Sequence, residues 1–142
     1  MNYGITGNLY KAISSCYEGT TCHIRLNQYV SDPFQNNIGV RQGDNLSPTL
    51  FITFINSLAE EIKRSGVGVN FNGLKVPILL YADDILLMAD NEADLQHLLY
   101  IAYGWCRKWR LSINTKKTKI LHVRTPNEPL SNYVYKTWGK SK

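Results

Sequence analysis

Two adjacent carboxylates, Asp83 and Asp84, interrupt the most apolar stretch of the chain. Val76-Pro77-Ile78-Leu79-Leu80 lies before Tyr81-Ala82-Asp83-Asp84, and Ile85-Leu86-Leu87-Met88 follows it. An ionised carboxylate in apolar surroundings is costly unless it pairs or meets a cation. A tight turn resolves the conflict: the apolar runs become neighbouring strands, and the acids project at the tip within reach of a metal ion. From these residues alone two readings stand, a polar turn in a buried hairpin and a metal-binding tip.

The elements around this tip follow from periodicity. Val67, Val69 and Phe71 alternate, Asn72-Gly73 is a strong hairpin signal, and Leu74 to Leu80 returns as the partner strand. With Ile85 to Ala89 this places three strands about the acidic tip, and Pro77, lacking an N–H, leaves one ladder position unbonded. Upstream, Gly39-Val40-Arg41-Gln42-Gly43-Asp44-Asn45-Leu46-Ser47-Pro48 reads as a loop that feeds a helix from Pro48 to Arg64. Ser47 is the expected N-cap and Pro48 the first-turn residue. Leu50, Phe51, Phe54, Ile55, Leu58 and Ile62 form the apolar stripe of that helix. A glycine loop before a helix suits close approach of a phosphate or base; an ordinary capped loop is the plainer alternative.

Downstream, Asp90 or Asn91 caps a helix whose stripe is Leu95, Leu98, Leu99, Ala102, Cys106 and Trp109. Leu111 to Lys119 is a basic loop, either solvated or facing phosphate, and Ile120-Leu121-His122-Val123 reads as a strand. Near the start, Leu9, Ile13 and Tyr17 predict a helix from Gly7 to Tyr17. Cys22, Ile24 and Leu26 alternate with His23, Arg25 and Asn27 as a half-buried strand, and Phe34 to Val40 is its extended partner. Thr125 to Lys142 has no periodicity and is expected to be an irregular, poorly ordered tail behind a domain spanning 1–124.

The 142 residues suit one domain, and 44% hydrophobic with 19% charged residues excludes a disordered chain. No apolar stretch is long enough to span a bilayer, and Met1 to Thr6 does not resemble a secretory signal. Cys16, Cys22 and Cys106 show no metal spacing, which favours reduced thiols over a disulfide frame, and the three histidines are as scattered. Charge is unevenly distributed. Residues 1–103 hold 6 Lys/Arg against 10 Asp/Glu, a net −4, whereas residues 104–142 hold 10 Lys/Arg against Glu128 alone, a net +9, which together give the overall +5. A basic C-terminal third suits a polyanionic partner, and equally a solvated basic surface.

Taken together, the loop, the acidic hairpin and the lysine loop resemble the palm of reverse transcriptases, specifically those of non-LTR (LINE-type) retrotransposons. Gly39 to Phe51 looks like the second palm motif of that family. Tyr81-Ala82-Asp83-Asp84 looks like its Tyr-x-Asp-Asp motif, and Asn114, Lys117 and Thr118 look like its Asn-x-x-Lys-Thr motif; the resemblance covers residues 4–124. It implies an α+β fold, a partial α/β sandwich palm with an antiparallel sheet backed by two main helices, fingers and thumb absent. It implies RNA-directed DNA synthesis by two Mg²⁺ ions on an RNA template and DNA primer, with deoxynucleoside triphosphates. Asp83 and Asp84 match the catalytic, metal-binding acids, and Tyr81 a residue that supports the primer end. Arg41, Gln42 and Gly43 match the nucleotide and template positions, and Lys117 a lysine near the triphosphate. An RNA virus palm is disfavoured, because Tyr81-Ala82 stands where Gly-Asp-Asp is usual.

One departure matters. The family places another metal-binding Asp upstream, in an Asp-x-x-x-Ala-Phe-Asp run, and residues 1–38 contain no such run. Asp32, in a turn, does not match. The expectation is therefore an incomplete two-metal site and a palm fragment that is inactive alone, with a nucleic-acid-binding relic as the alternative.

Overall fold

The indole of Trp105 is almost wholly buried, at 2% exposure, and its Nε1–H donates to Ser57 Oγ at 2.9 Å. A computed structural model describes residues 3–36 and 38–136. The chain divides into two compact units, Met1–Phe51 and Ile52–Lys142.

In the second unit the Trp105 bond joins α2 (Ser47–Lys63) to α3 (Glu92–Lys108). Phe54 packs on the same indole with ring centroids 4.9 Å apart and meets Trp109 edge-on at 5.1 Å. Ile55, Leu58, Ala59 and Ile62 from α2 and Leu98, Ala102 and Cys106 from α3 complete the core. Burial raises the pKa of the Cys106 thiol and keeps it neutral. Trp105 thus takes the buried place that the expected stripe gave to Trp109, which stays partly exposed.

Both ends of α3 are locally encoded. Asn91 accepts from the Asp94 N–H at 2.9 Å and donates back to its carboxylate, a reciprocal N-cap. At the other end Arg110 has a left-handed φ of 57°. Leu111 N–H reaches the Cys106 carbonyl at 2.8 Å and Arg110 N–H that of Arg107 at 3.2 Å, which is a Schellman closure without glycine. Glu92 and Asp94 in the first turn and Lys108 and Arg107 in the last suit the helix dipole.

Among the described residues the strands do not join into the expected single antiparallel sheet but make four separate two-stranded pairs. In the first unit β1 (Thr21–Cys22) pairs with β4 (Phe34–Gln35), and β2 (Arg25–Leu26) with β3 (Tyr29–Val30). The strand expected over Cys22 to Leu26 is therefore broken. Three residues, Ser31 to Pro33, face two, His23 and Ile24, so the register slips by one as at a bulge. Pro33 has no N–H for the ladder, and Ser31 Oγ accepts from the Ile24 N–H at 2.9 Å instead. Ile24 and Leu26 are exposed, and so are His23 and Arg25, so the expected half-buried alternation is not seen. The α1 helix (Gly7–Tyr17) has the expected bounds; of its apolar stripe Ile13 and Tyr17 are half-buried and Leu9 is exposed.

In the second unit β5 (Val69–Phe71) and β6 (Leu74–Val76) close through Asn72-Gly73, both at positive φ, as the dipeptide signals. β7 (Ile78–Tyr81) and β8 (Asp84–Leu87) form the acidic hairpin, and α3 lies against β8. The strand expected over Ile120 to Val123 is absent. These residues are exposed and have no ladder partner among the described residues, and an isolated extended segment gains too little from burial to hold. Residues 125–136 carry no helix or strand but are tied to α3. Gln96, 4% exposed, accepts from Lys136 N–H at 2.7 Å and donates to its carbonyl at 3.1 Å. Ser131 donates to Glu92, the largest of the effects that hold this carboxyl below the usual range. The expected tail from residue 137 onward, Trp138 included, lies outside the described residues.

Packing of this unit can be tested at Gly68 and Ser57. Gly68 has φ +140°, and a Cβ there would lie 2.8 Å from the Pro77 nitrogen, which is backbone and cannot swing away. Gly68→Ala is expected to cost about 1–3 kcal/mol in urea unfolding; an unchanged midpoint would contradict the close packing of this peptide. Ser57→Ala leaves the buried indole N–H unpaired and is expected to cost about 1–3 kcal/mol. It should also alter Trp105 emission, whereas Ser57→Thr, which keeps the hydroxyl, should recover part of the stability.

Candidate active site

The two-residue turn of the β7–β8 hairpin is Ala82-Asp83, because Tyr81 pairs with Asp84, and the ladder runs through Leu80–Ile85, Leu79–Leu86 and Ile78–Leu87. The Met88 N–H donates to the Pro77 carbonyl at 2.9 Å, so Pro77 extends the hairpin as an acceptor. Ala82 has φ +51°, a left-handed value that a residue with a Cβ adopts at a cost of about 1–2 kcal/mol. That strain lies beside the carboxylates, where the chain must reverse in two residues.

Alternation sorts the hairpin into two faces. Ile78 is buried and Leu80 and Leu87 are half-buried, so the face they share with Ile85 is the inward one. The other face carries Leu79, Tyr81, Asp84 and Leu86. Tyr81 is 83% exposed, and Leu79 and Leu86 are 52% and 55% exposed. The hairpin is thus half-buried rather than a buried hairpin with a polar tip. Asp83 and Asp84 are both exposed, and Tyr81 stands directly across from Asp84 on the outward face.

Two carboxylates are a fitting oxygen donor set for Mg²⁺, which takes one or two protein carboxylates and completes its shell with water and phosphate oxygens. Among the described residues no group of three or more His, Cys, Asp or Glu is gathered to hold a metal.

In the first unit, residues 39–47 are an ordered loop. Asp44 Oδ1 accepts from Leu46 N–H at 2.9 Å, and the Asp44 carbonyl accepts from Ser47 N–H at 3.1 Å. This Asx turn leads the chain into α2. Ser47 is the first helical residue, and its hydroxyl donates to the Arg41 carbonyl at 2.6 Å, so it closes the loop instead of serving as the expected N-cap. Gly43 has φ +81° in open space; backbone conformation, not crowding, calls for glycine there. Gln42 and Gly43 are exposed. The Arg41 guanidinium lies 5.4 Å from the Tyr17 ring centroid and donates to Thr20 Oγ1 at 2.9 Å and to the Cys16 carbonyl. Tyr17 OH donates to Asp44 Oδ2 at 3.4 Å.

The lysine turn has its own local logic. Asn114 Oδ1 accepts from Lys116 N–H at 3.2 Å and Lys117 N–H at 3.3 Å. Its carbonyl accepts from Thr118 N–H and Thr118 Oγ1, both at 2.9 Å. An Asn and a Thr four residues apart close one turn on each other, leaving Lys116, Lys117 and Lys119 exposed.

Tyr81, Asp83 and Asp84 are thus gathered on one hairpin, Arg41, Gln42 and Gly43 on one loop of the other unit, and Lys117 on a separate turn. The sequence reading missed Tyr17 and Asp44 as supports of the loop. Asp44, two residues before Leu46 at a helix start, carries a local Asx signal; Tyr17, 27 residues away, carries none.

Residues 4–137 match the family model described as reverse transcriptase (RNA-dependent DNA polymerase). The Retrovirus-related Pol polyprotein from type-1 retrotransposable element R2 of Popillia japonica is 36% identical over 86 residues, 60% of this chain and 12% of that protein. The RNA-directed DNA polymerase from mobile element jockey of Drosophila melanogaster is 28% identical over 115 residues, 77% of this chain and 12% of that protein. A probable RNA-directed DNA polymerase from transposon BS of the same fly is 30% identical over 115 residues, again 77% and 12%. The chain spans about an eighth of the length of each of these relatives. With the family model covering nearly the whole chain, this protein belongs to the reverse transcriptase family, in the non-LTR retrotransposon branch.

Proposed function

We propose that this chain carries the acidic-hairpin part of the palm of an RNA-directed DNA polymerase, acting on an RNA template, a DNA primer and deoxynucleoside triphosphates. One observation carries the reading: the glycine loop, the acidic hairpin and the Asn-capped lysine turn follow one another within a single family match. In this reading α2 and α3 back the β5–β6 and β7–β8 pairs as part of an α/β sandwich.

Asp83 and Asp84 would hold Mg²⁺, which when bound supplies Lewis acidity and charge neutralisation at the phosphates. Tyr81, on the outward face across from Asp84, supports the primer terminus. Gln42 and Gly43, exposed on their loop, line the incoming nucleotide and the template base. Lys117 lies near the triphosphate, as an ammonium able to protonate leaving pyrophosphate. A further bridging carboxylate comes from a separate segment.

The test is extension of a labelled primer on RNA with Mg²⁺, using the chain alone and with the upstream palm segment of a relative supplied in trans. Extension is expected only with both. Asp83→Asn should lower it on the order of 10²–10³-fold or more. Absence of extension in every combination would sink the polymerase reading.

The net +9 of residues 104–142 favours a second reading, binding of nucleic acid without catalysis. It expects salt-sensitive binding of primed duplex that survives Asp83→Ala. Replacing Lys116, Lys117 and Lys119 with Ala should flatten the log K against log salt slope by about 0.7–0.9 for each phosphate that is no longer neutralised. An unchanged slope would remove that turn from the interface.

A further inference from the structure

We propose that Arg41 is a positioning residue: it ties the 39–47 loop to the C-terminal end of α1 and so presents Gln42 and Gly43, and it does not itself bind nucleotide or template. The role rests on the polymerase reading above.

The guanidinium is committed on more than one side. It lies over the Tyr17 ring, 5.4 Å from the centroid. Its Nη2 donates to Thr20 Oγ1 at 2.9 Å and to the Cys16 carbonyl, one of the last-turn carbonyls of α1 that lack an intrahelical partner. A cation there also meets the negative end of the helix. Its backbone is committed as well, since the Arg41 carbonyl accepts from Ser47 Oγ at 2.6 Å and from Asp44 N–H at 3.4 Å. A second tie runs in parallel, from Tyr17 OH to Asp44 Oδ2. Tyr17 therefore serves both links, its ring for Arg41 and its hydroxyl for Asp44. A phosphate-binding arginine turns its fork to the ligand; here both bonds of Nη2 go to Thr20 Oγ1 and the Cys16 carbonyl, and the guanidinium lies over the Tyr17 ring. Arg41 is exposed along with Gln42 and Gly43, but unlike them it spends side-chain donors on the end of α1.

Lysine cannot replace such a group. It carries the charge but not the planar fork that stacks and donates in two directions. A positioning role therefore makes Arg41→Lys resemble Arg41→Ala, whereas a simple charge interaction makes it resemble the wild type.

The experiment has two arms on the full chain. Amide hydrogen exchange of residues 42–47 is measured for the wild type, Arg41→Lys, Arg41→Ala and Tyr17→Leu, with Leu58 and Leu98 as internal reference. All three variants should exchange at least about tenfold faster in the loop, with the reference amides unchanged. Unchanged loop exchange in both Arg41 variants would overturn the proposal. In the second arm, binding of a primed RNA template is titrated across KCl concentrations. Both Arg41 variants should bind more weakly at an unchanged salt slope. A slope reduced by about one in Arg41→Ala but kept in Arg41→Lys would make Arg41 a phosphate ligand and overturn the proposal. If the wild type binds no primed template, the polymerase reading falls, while the exchange arm still decides the tie.

Discussion

Burial of one face of the β7–β8 hairpin, with α3 lying against β8, determines where the carboxylates go. Alternation along a strand leaves no choice: with Ile78 inward and Leu80 and Leu87 half-buried, Tyr81 and Asp84 must face out. A one-residue slip of the ladder would turn every side chain over and carry Asp84 toward the core, where an ionised carboxylate is costly. The same constraint makes the α2–α3 core matter to the site. Trp105 and its bond to Ser57 join the two helices, and α3 supports the strand that bears Asp84.

The three site segments are held in different ways. The hairpin depends on the core. The lysine turn depends almost wholly on itself, because Asn114 and Thr118 close it with bonds that span no more than four residues. The glycine loop stands between these cases: Asp44 and Ser47 shape it locally, but Tyr17 and Arg41 tie it to a helix far upstream. A substitution at Tyr17 would therefore disturb a loop it does not adjoin in the chain. The relatives it matches are many times longer than this chain.

Much of this was legible in the residues. Helix bounds to within a residue or two, a cap at Asp90 or Asn91, the Asn72-Gly73 turn and a tight turn at the acidic tip are short-range consequences of residue type. So is the family, because its three motifs are local strings in a fixed order. The errors came where partners are distant. The alternation at Cys22, Ile24 and Leu26 reads as one strand, but Pro33 withholds an N–H on the facing segment and the register slips. Ile120 to Val123 has strand composition and no partner among the described residues. Trp109, expected in the apolar stripe, stays partly exposed, while Trp105 is buried with the Ser57 hydroxyl as the partner of its N–H.

By itself, then, the sequence determined the local elements and the family: two acids on a tight turn, a glycine loop before a helix, and lysines in a basic loop. Tertiary structure alone decided which face of the hairpin is buried, that Ser47 closes the loop instead of capping the helix, and that the guanidinium of Arg41 is spent on Tyr17, Thr20 and Cys16. The physical reason is reach. Turn and cap preferences act over a few bonds along the chain, whereas burial and side-chain pairing depend on groups that only folding brings together.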